Sequence, residues 1–201
     1  MKGLFVTGTD TGVGKTFVAC ALIRAARAAG HRVFAFKPIE TGCPPGEFGE
    51  DQRALAEASE DVLRGTYRLE QPVAPWVASR TEGVEIELAR VANDLLSASA
   101  FSRVLVEAAG GWRVPITRTA DTADLARLCG LPVLVVARAG LGTINHTLLT
   151  LEAINRDGLQ VAGVVLSIRP NDDAVFARSN AAQIRERSSA AVYCLPELPA
   201  L

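Results

Sequence analysis

The sequence of 201 residues predicts an α/β fold in which one domain, spanning residues 1–201, holds a doubly wound, mostly parallel sheet. Apolar segments of strand length alternate with segments of helical period along the chain. Several strand segments are nearly continuous runs of valine and leucine, which is typical of strands buried on both faces. The first strand, first helix and second strand form a β-α-β unit, whose crossover is right-handed in almost all proteins.

The first half of the chain is predicted to begin with two strands joined by a long helix. Apolar positions from Lys15 to Ala29 recur at helical spacing, and Gly30 is a natural terminator. Residues 38–49 are predicted to be a loop rich in glycine and proline, and residues 65–83 are predicted to be irregular because they contain prolines. The predicted elements are a strand at 3–8, a helix at 15–29, a strand at 32–37 and helices at 51–59 and 85–98.

The second half of the chain repeats the alternation of strand and helix. A short apolar strand ends at Glu107 and is followed by a predicted turn over residues 108–112. The predicted strands lie at 103–107, 131–137, 159–168 and 190–195, and the predicted helices at 122–129, 143–157 and 172–187.

Composition and charge exclude several classes of protein. Hydrophobic residues make up 49% of the chain, which is ample for one core, and the net charge of −1 speaks against a nucleic-acid clamp. No apolar run approaches the roughly 20 residues of a membrane span, and the N-terminus lacks the apolar stretch of a secretory signal. The four cysteines lie far apart, which fits reduced thiols. We therefore expect a cytoplasmic protein without a nucleic-acid or membrane partner.

The segment Gly8–Thr16 lies between the first strand and the first helix and has the composition of a phosphate-binding loop. Its glycines allow backbone N–H groups to surround a phosphate, and the helix N-terminus adds partial positive charge. Lys15 would reach the β and γ phosphates and Thr16 would reach Mg²⁺. The common pattern has glycine at position 9, where this chain has Thr9. An ordinary glycine-rich turn is the alternative, but the strand–turn–helix context favours the phosphate loop.

Three charged residues close to strand ends or helix starts are candidates for chemistry at this loop. Glu107 ends an apolar strand, and ligands of open α/β sheets bind at the carboxyl ends of strands. Asp51 is a second candidate for the metal, although a plain first-turn acid explains its position equally well. Lys37, one of only three lysines, closes the second strand and could neutralise charge on a transferring phosphoryl group. The alternative for Lys37 is an ordinary surface lysine.

Together with two later segments, these residues resemble the dethiobiotin synthetase family, a branch of the P-loop NTPases. Among five matching segments, the first (residues 8–16) and the fourth (residues 140–147) have specific patterns. The other three support the resemblance because all five occur in the family's order. The matching segments are residues 8–16, 37–42, 106–112, 140–147 and 158–163.

The resemblance implies an ATP-dependent ring closure. In that family, 7,8-diaminononanoate takes up CO₂ on one amine as a carbamate, and the carbamate oxygen attacks the γ phosphate of ATP. The second amine then attacks the mixed anhydride, closes the cyclic urea of dethiobiotin and expels phosphate. This chemistry depends on positioning and on charge neutralisation more than on a protein nucleophile. The resemblance also implies Mg²⁺ and a homodimer.

The same resemblance implies roles for residues of this sequence. The phosphates would be held by Thr11, Gly12, Val13, Gly14 and Lys15. The Mg²⁺ ligands would be Thr16, Asp51 and Glu107, with Glu107 also at the nucleotide. The catalytic residues would be Lys15, Lys37 and Thr11, and the base site would include Ser167 and Arg169. The substrate would meet Thr41 and the helix start Gly142, Thr143, Ile144 and Asn145, the latter supplied by the partner subunit.

The chain departs from the family at three places, which leaves room for a divergent synthetase or a paralogue. Ala108 replaces a usual glycine, and Ser167 stands where asparagine often contacts the base. The segment Pro72–Trp76 lacks a serine and a histidine that often contact substrate.

The sequence leaves other nucleotide-binding proteins to be weighed, namely another P-loop ligase or an ATPase of the partitioning class, a signalling GTPase and a noncatalytic regulator. ATPases of the partitioning class carry a lysine where this chain has Asp10, and the base motif of signalling GTPases is absent. A noncatalytic nucleotide-binding regulator is the alternative from a different class. The presence of Lys15, Lys37 and Glu107 argues against it.

Overall fold

The computed structural model describes residues 2–196, which form a six-stranded sheet, a separate two-stranded sheet and helices around them. The strands are β1 (Gly3–Gly8), β2 (Val33–Phe36), β3 (Ile39–Thr41), β4 (Tyr67–Leu69), β5 (Arg103–Gly111), β6 (Val133–Arg138), β7 (Val161–Ser167) and β8 (Val192–Leu195). The helices are α1 (Lys15–Ala28), α2 (Glu50–Ser59), α3 (Pro75–Glu82), α4 (Leu88–Leu96), α5 (Thr122–Cys129), α6 (Thr143–Arg156) and α7 (Ala174–Arg187). Among these described residues, no helix has both the length and the apolar character needed to cross a membrane.

The large sheet has the order β2-β5-β1-β6-β7-β8, and each pair of neighbouring strands runs parallel. The predicted parallel α/β fold is therefore confirmed. The carboxyl ends of all six strands consequently lie at one edge of the sheet. β1 has a central position, so the loop that follows it opens between the ends of β5 and β6.

A hydrophobic layer covers each face of this sheet because successive side chains of a strand point to opposite faces. In β1, Phe5 packs into one layer and Val6 into the other, and both are fully buried. The layer around Val6 is formed with α1 and α2, whereas the layer around Phe5 is formed with α4, α5, α6 and α7. This two-sided burial explains the apolar runs in the sequence.

The prediction that residues 65–83 are irregular was wrong. They contain β4, which pairs with β3 in the small parallel sheet, and the helix α3. Of the two prolines that suggested irregularity, Pro72 and Pro75, the second starts α3, where its missing N–H is harmless. The strand β3 likewise lies within the segment predicted to be a loop, residues 38–49. A strand of three residues is too short to show periodicity.

The predicted turn at 108–112 was also wrong, because β5 continues as a strand as far as Gly111. Its glycine-rich end runs beside β1, where Gly111 pairs with Gly8 across an irregularity in register. Ala108 has ordinary backbone geometry: among the described residues other than glycine, only Glu60 has a positive φ. Alanine in place of the family's glycine therefore causes no backbone strain at this position.

Candidate active site

The phosphate loop lies at the carboxyl edge of the sheet and borders a cavity of about 310 Å³. Residues from the ends of β1, β2, β3, β5 and the start of α2 meet there. Nine of the residues predicted from the sequence line it, namely Thr11, Gly12, Gly14, Lys15, Thr16, Lys37, Thr41, Asp51 and Arg169. The structure thus brings most of the predicted phosphate, metal and catalytic residues together.

The loop itself depends on glycine at two positions with left-handed backbone. Gly12 has φ of 69° and Gly14, directly before α1, has φ of 96°. A Cβ atom on Gly14 would lie 2.4 Å from Oγ of Ser167, so a side chain there would collide with the end of β7. Val13, between the two glycines, is buried in the core and anchors the loop to it. The first turn of α1, with its unpaired N–H groups, consequently begins beside the cavity.

Lys15 is nearly buried at the base of the cavity, where its ammonium group donates a hydrogen bond of 3.2 Å to the carbonyl oxygen of Asp10. Burial, together with the nearby positive charge of Lys37, lowers the pKa of Lys15 to about 8. Two ammonium groups therefore face a partly enclosed space. A bound anion would relieve their repulsion, which favours a phosphate at this place.

Lys37 is the centre of a buried ionic cluster behind the cavity. Its Nζ donates to Oδ2 of Asp51 at 2.6 Å, to Oε1 of Glu107 at 2.7 Å and to the carbonyl of Ala108 at 3.3 Å. Burial alone would lower the pKa of Lys37, but the two carboxylates outweigh it and raise that pKa. Burial conversely opposes the ionised form of Asp51, yet the charge of Lys37 holds the pKa of Asp51 below its usual value. Lys37 and Asp51 are thus both charged at neutral pH.

Thr16 joins the same cluster from the first turn of α1. Its hydroxyl lies 2.6 Å from Oδ1 of Asp51 and 2.9 Å from Oε1 of Glu107. The second oxygen of Glu107, Oε2, is buried and has no hydrogen-bond partner among the described residues. A hydroxyl and two carboxylates converging in this way are the oxygen donors that Mg²⁺ takes from proteins.

These donors would not complete a metal shell alone. Among residues 2–196, no group of three or more His, Cys, Asp or Glu side chains is placed to hold a metal ion. A hard cation needs about six oxygens, so most of its ligands would come from water and from a bound phosphate. The free oxygen of Glu107 fits such a shared site.

The predicted residues that do not line the cavity are Val13, Glu107, Ser167 and the four residues at the start of α6. Gly142, Thr143, Ile144 and Asn145 form the start of α6, as expected, but none of them lines the cavity. Ser167 is buried beneath Gly14, and the guanidinium group of Arg169 donates to the carbonyl oxygen of Gly12. Arg169 thereby reaches the phosphate loop, whereas the α6 start does not meet it within one chain.

Sequence reasoning missed one charged residue of the site. Glu40 lines the cavity and is 6% exposed, and both of its carboxylate oxygens accept backbone hydrogen bonds from α2. It lies inside the matched segment 37–42, but no chemical pattern at that spacing indicated a role. Phe17 also lines the cavity and is 56% exposed, an unusual position for a large aromatic residue.

The chain is similar in sequence to a described family and to named proteins. A family model described as "AAA domain" matches residues 2–201. The ATP-dependent dethiobiotin synthetase BioD of Anaeromyxobacter dehalogenans (strain 2CP-1 / ATCC BAA-258) is 53% identical over 189 residues, which cover 92% of this chain and 84% of that protein. The protein of the same name from Pseudomonas paraeruginosa (strain DSM 24068 / PA7) is 42% identical over 212 residues, covering 100% and 91% of the two chains.

Solved structures resemble the chain in fold alone. Chloroplast FtsY from Physcomitrella patens superposes with a TM-score of 0.55 at 18% identity, covering 95% of this chain and 56% of that one. The kinase domain of the Escherichia coli tyrosine kinase ETK gives a TM-score of 0.51 at 18% identity, covering 86% and 70%.

Proposed function

This chain belongs to the family of ATP-dependent dethiobiotin synthetases, and we propose that its cavity performs the family's reaction with Mg²⁺ and a second copy of the chain. The chain is accordingly an ATP-dependent ligase of biotin biosynthesis. Its substrates are 7,8-diaminononanoate, CO₂ or bicarbonate, and ATP. We propose further that residues 1–201 form one domain and that the protein is cytoplasmic. Neither nucleic acid nor a membrane is proposed as a partner. The buried thiols of Cys20, Cys43 and Cys129 are not joined by disulfides, which supports a reducing compartment.

The reaction needs an anionic carbamate and an anionic phosphate to approach each other. One amine of the diamine adds to CO₂ and loses a proton, which gives a carbamate. A carbamate oxygen attacks the γ phosphorus of ATP, and ADP leaves. The other amine attacks the carbonyl carbon of the mixed anhydride, phosphate leaves, and the cyclic urea is formed. The protein must therefore position three molecules and offset the negative charge between them.

The phosphate loop binds the nucleotide. Backbone N–H groups of the segment Thr11–Thr16 surround the β and γ phosphates, and Lys15 neutralises the charge that shifts onto them. The positive φ of Gly12 and Gly14 supports this role because such a backbone turns successive N–H groups toward one point. Arg169, which lines the cavity and contacts the loop, would contact the nucleotide, with Ser167 buried beneath Gly14 beside it.

Mg²⁺ would be held by the hydroxyl of Thr16 and the carboxylates of Asp51 and Glu107. When bound, the ion would supply positive charge that offsets the negative charge developing on the phosphate. The unpartnered oxygen of Glu107 and the short distances from Thr16 to both carboxylates support this assignment. Lys37 contacts both carboxylates and also lines the cavity, so its ammonium group can offset the charge of a carbamate that approaches the phosphate there.

The diamine would bind between two subunits. Thr41, at the end of β3, faces the amines from one subunit, since it lines the same cavity as Lys37. The carboxylate of the substrate binds the N-terminus of α6 from the partner, at Gly142, Thr143, Ile144 and Asn145. The absence of these four residues from the lining of the cavity in a single chain supports this arrangement.

One observation carries the proposal: Lys15 and Lys37 both border the cavity of the phosphate loop, and Lys37 contacts both metal-ligand candidates. The direct test is phosphate release from ATP with the diamine and bicarbonate present together or singly. We expect release only when both are present, with dethiobiotin formed in equal amount. ATP hydrolysis at the same rate without the diamine would contradict the proposal.

The three lysines of this chain provide a matched control. Lys37→Met should abolish product formation, whereas Lys2→Met, which changes an exposed lysine just before β1 at the end of the strand opposite the loop, should leave it unchanged. Equal loss in both variants would indicate a general effect on folding and would argue against the role of Lys37.

A further inference from the structure

The helix α2, which carries Asp51, lacks a capping side chain of its own. It begins at Glu50, and its N-cap residue is Gly49. A helix start leaves backbone N–H groups without partners inside the helix, and a serine, threonine, aspartate or asparagine at the N-cap usually accepts from them. Glycine offers no such acceptor, so this cap must come from elsewhere.

Glu40 supplies the missing acceptors from β3. Its Oε1 accepts the backbone N–H of Asp51 at 2.8 Å, and its Oε2 accepts the N–H of Gln52 at 2.9 Å. These are the second and third positions of the helix, which an N-cap side chain would normally reach. The carboxylate is 6% exposed and also carries the negative charge that a helix N-terminus favours.

Gln52 completes the arrangement and links it to Lys37. Its Oε1 accepts the backbone N–H of Gly49 at 3.4 Å, which is the second half of a capping box. Its Nε2 donates to the carbonyl oxygen of Lys37 at 3.1 Å. The start of α2 is therefore tied to the end of β2, where Lys37 lies, as well as to β3.

The glycine at position 49 is explained by the same carboxylate. A Cβ atom on Gly49 would lie 2.1 Å from Cδ of Glu40, so the glutamate occupies the space of any local capping side chain. The backbone of Gly49, with φ of −72° and ψ of 170°, is otherwise ordinary for an aspartate or serine cap. The cap of α2 can therefore come either from Glu40 or from a side chain at position 49, and in this chain it comes from Glu40.

We propose that Glu40 is a positioning residue for phosphoryl transfer: by capping α2 from a neighbouring strand, it holds the Asp51 carboxylate against Thr16 and Lys37. The proposal rests on the function proposed above, in which Asp51 is a ligand of Mg²⁺. Asp51 sits in the first turn of α2, so fraying of that turn would move its carboxylate away from Thr16, 2.6 Å distant. Both oxygens of Glu40 are committed to backbone N–H groups, so it acts through Asp51.

The test compares Glu40→Ala, Gly49→Asp and the double variant Glu40→Ala/Gly49→Asp. Loss of a helix cap costs about 1 kcal/mol, so Glu40→Ala should raise the Mg²⁺ concentration for half-maximal phosphate release about fivefold. It should leave the affinity for ADP measured without metal unchanged. The double variant should return the Mg²⁺ requirement close to wild type, because Asp at position 49 can cap once the glutamate is gone. Gly49→Asp alone should be impaired, since two carboxylates then compete for one space.

Two further readouts do not depend on turnover. Hydrogen exchange at the amides of Asp51 and Gln52 should be faster in Glu40→Ala and slowed again in the double variant. Mn²⁺ binding in the presence of ADP, followed by water proton relaxation, should weaken and recover in parallel. Glu47→Ala, which changes an exposed partner of Arg53 in the preceding loop, is the matched control and should alter neither.

Several outcomes would overturn the inference. Wild-type metal binding in Glu40→Ala would show that Asp51 needs no cap from β3. Restored amide protection in the double variant without restored metal binding would show that the cap of α2 does not control metal binding by Asp51. If Glu40→Ala does not fold, Glu40→Gln, which keeps the shape and one acceptor oxygen, should show the same loss to a smaller extent. Absence of diamine-dependent phosphate release in wild type would contradict the proposed function, whereas the exchange and Mn²⁺ measurements would still test the cap.

Discussion

The ammonium nitrogen of Lys37 lies 2.7 Å from Oε1 of Glu107, and the side chains of the two residues are 3% and 0% exposed. Such a pair costs desolvation when it forms, and its attraction repays that cost only while both partners are present. Asp51 adds a second, partly exposed carboxylate to the same ammonium group. The pair therefore couples the stability of the fold to the groups proposed for catalysis.

Removal of Lys37 alone should destabilise the protein strongly. In Lys37→Met, Glu107 would be left as an uncompensated buried charge, so the free energy of unfolding should fall by about 3–5 kcal/mol. Urea denaturation near neutral pH measures this free energy. In the control Lys2→Met, the free energy of unfolding should stay within about 0.5 kcal/mol of the wild-type value.

The double variant Lys37→Met/Glu107→Gln separates stability from catalysis. It removes both charges, so most of the lost stability should return, while dethiobiotin formation should stay abolished. Additive destabilisation in the double variant would contradict the view that the two side chains form one buried pair.

Much of this site could be predicted because it follows from chain order and residue chemistry. Strand–loop–helix order placed Lys15 and Thr16 at a phosphate loop, and strand ends placed Lys37 and Glu107 at the same edge. The hydrogen bonds of Asp51 to Thr16 and Lys37 favour a metal-ligand role over a plain first-turn acid, and that role stays a prediction. Periodicity also sufficed for the long, buried strands and helices.

The role of Glu40 could not be predicted because it depends on a contact between β3 and α2. No local pattern indicates a cap that comes from ten residues before the helix, and a strand of three residues such as β3 has no measurable period. The strand character of Gly110 and Gly111 was hidden for a similar reason. Glycine usually indicates a turn, and Gly110 does have a positive φ of 67°, but the pairing of Gly111 with Gly8 of β1 keeps this segment in the sheet.

Two glycines of the phosphate loop should respond differently to the same substitution. Gly12 and Gly14 both have positive φ, so alanine strains the backbone at either position. A Cβ atom on Gly12 would have no neighbour within 4 Å, whereas one on Gly14 would lie 2.4 Å from Oγ of Ser167. Gly14→Ala should therefore abolish ATP binding, and Gly12→Ala should weaken it by about tenfold, as measured by calorimetry. Equal losses of ATP affinity in the two variants would mean that backbone strain alone causes the loss and that the contact with Ser167 adds nothing.

Selectivity for the nucleotide base should be low. Ser167 is buried under Gly14 and carries a single hydroxyl, whereas an asparagine can both donate to and accept from a base edge. We expect kcat/KM for ATP, CTP and GTP to lie within about tenfold of one another, since no paired amide contact is available here. A preference for ATP of a hundredfold or more corresponds to the free energy of about two hydrogen bonds to a base edge and would require another base-recognising group.

The buried thiols should be inert in the native protein and should weaken it at high pH. Burial raises the pKa of Cys129 to about 12 and that of Cys20 to about 11. Because the thiolate is the reactive form, a disulfide reagent at neutral pH should modify these thiols only after unfolding. As pH rises above 9, the unfolded chain loses these protons before the folded chain does, so stability should fall. Cys129→Ala should show a smaller loss between pH 8 and pH 10 in urea denaturation; an equal loss would contradict this explanation.

The proposed site between subunits should allow complementation. Lys15→Ala removes the ammonium group of the phosphate loop, and Gly142→Asp places a carboxylate at the start of α6, where it would repel the carboxylate of the substrate. Each variant alone should be inactive. After the two are mixed and their subunits exchanged, about half of the dimers contain one chain of each kind, and each such dimer has one intact site, so about a quarter of wild-type activity should appear. A mixture that stays inactive despite confirmed exchange would mean that α6 serves the cavity of its own chain.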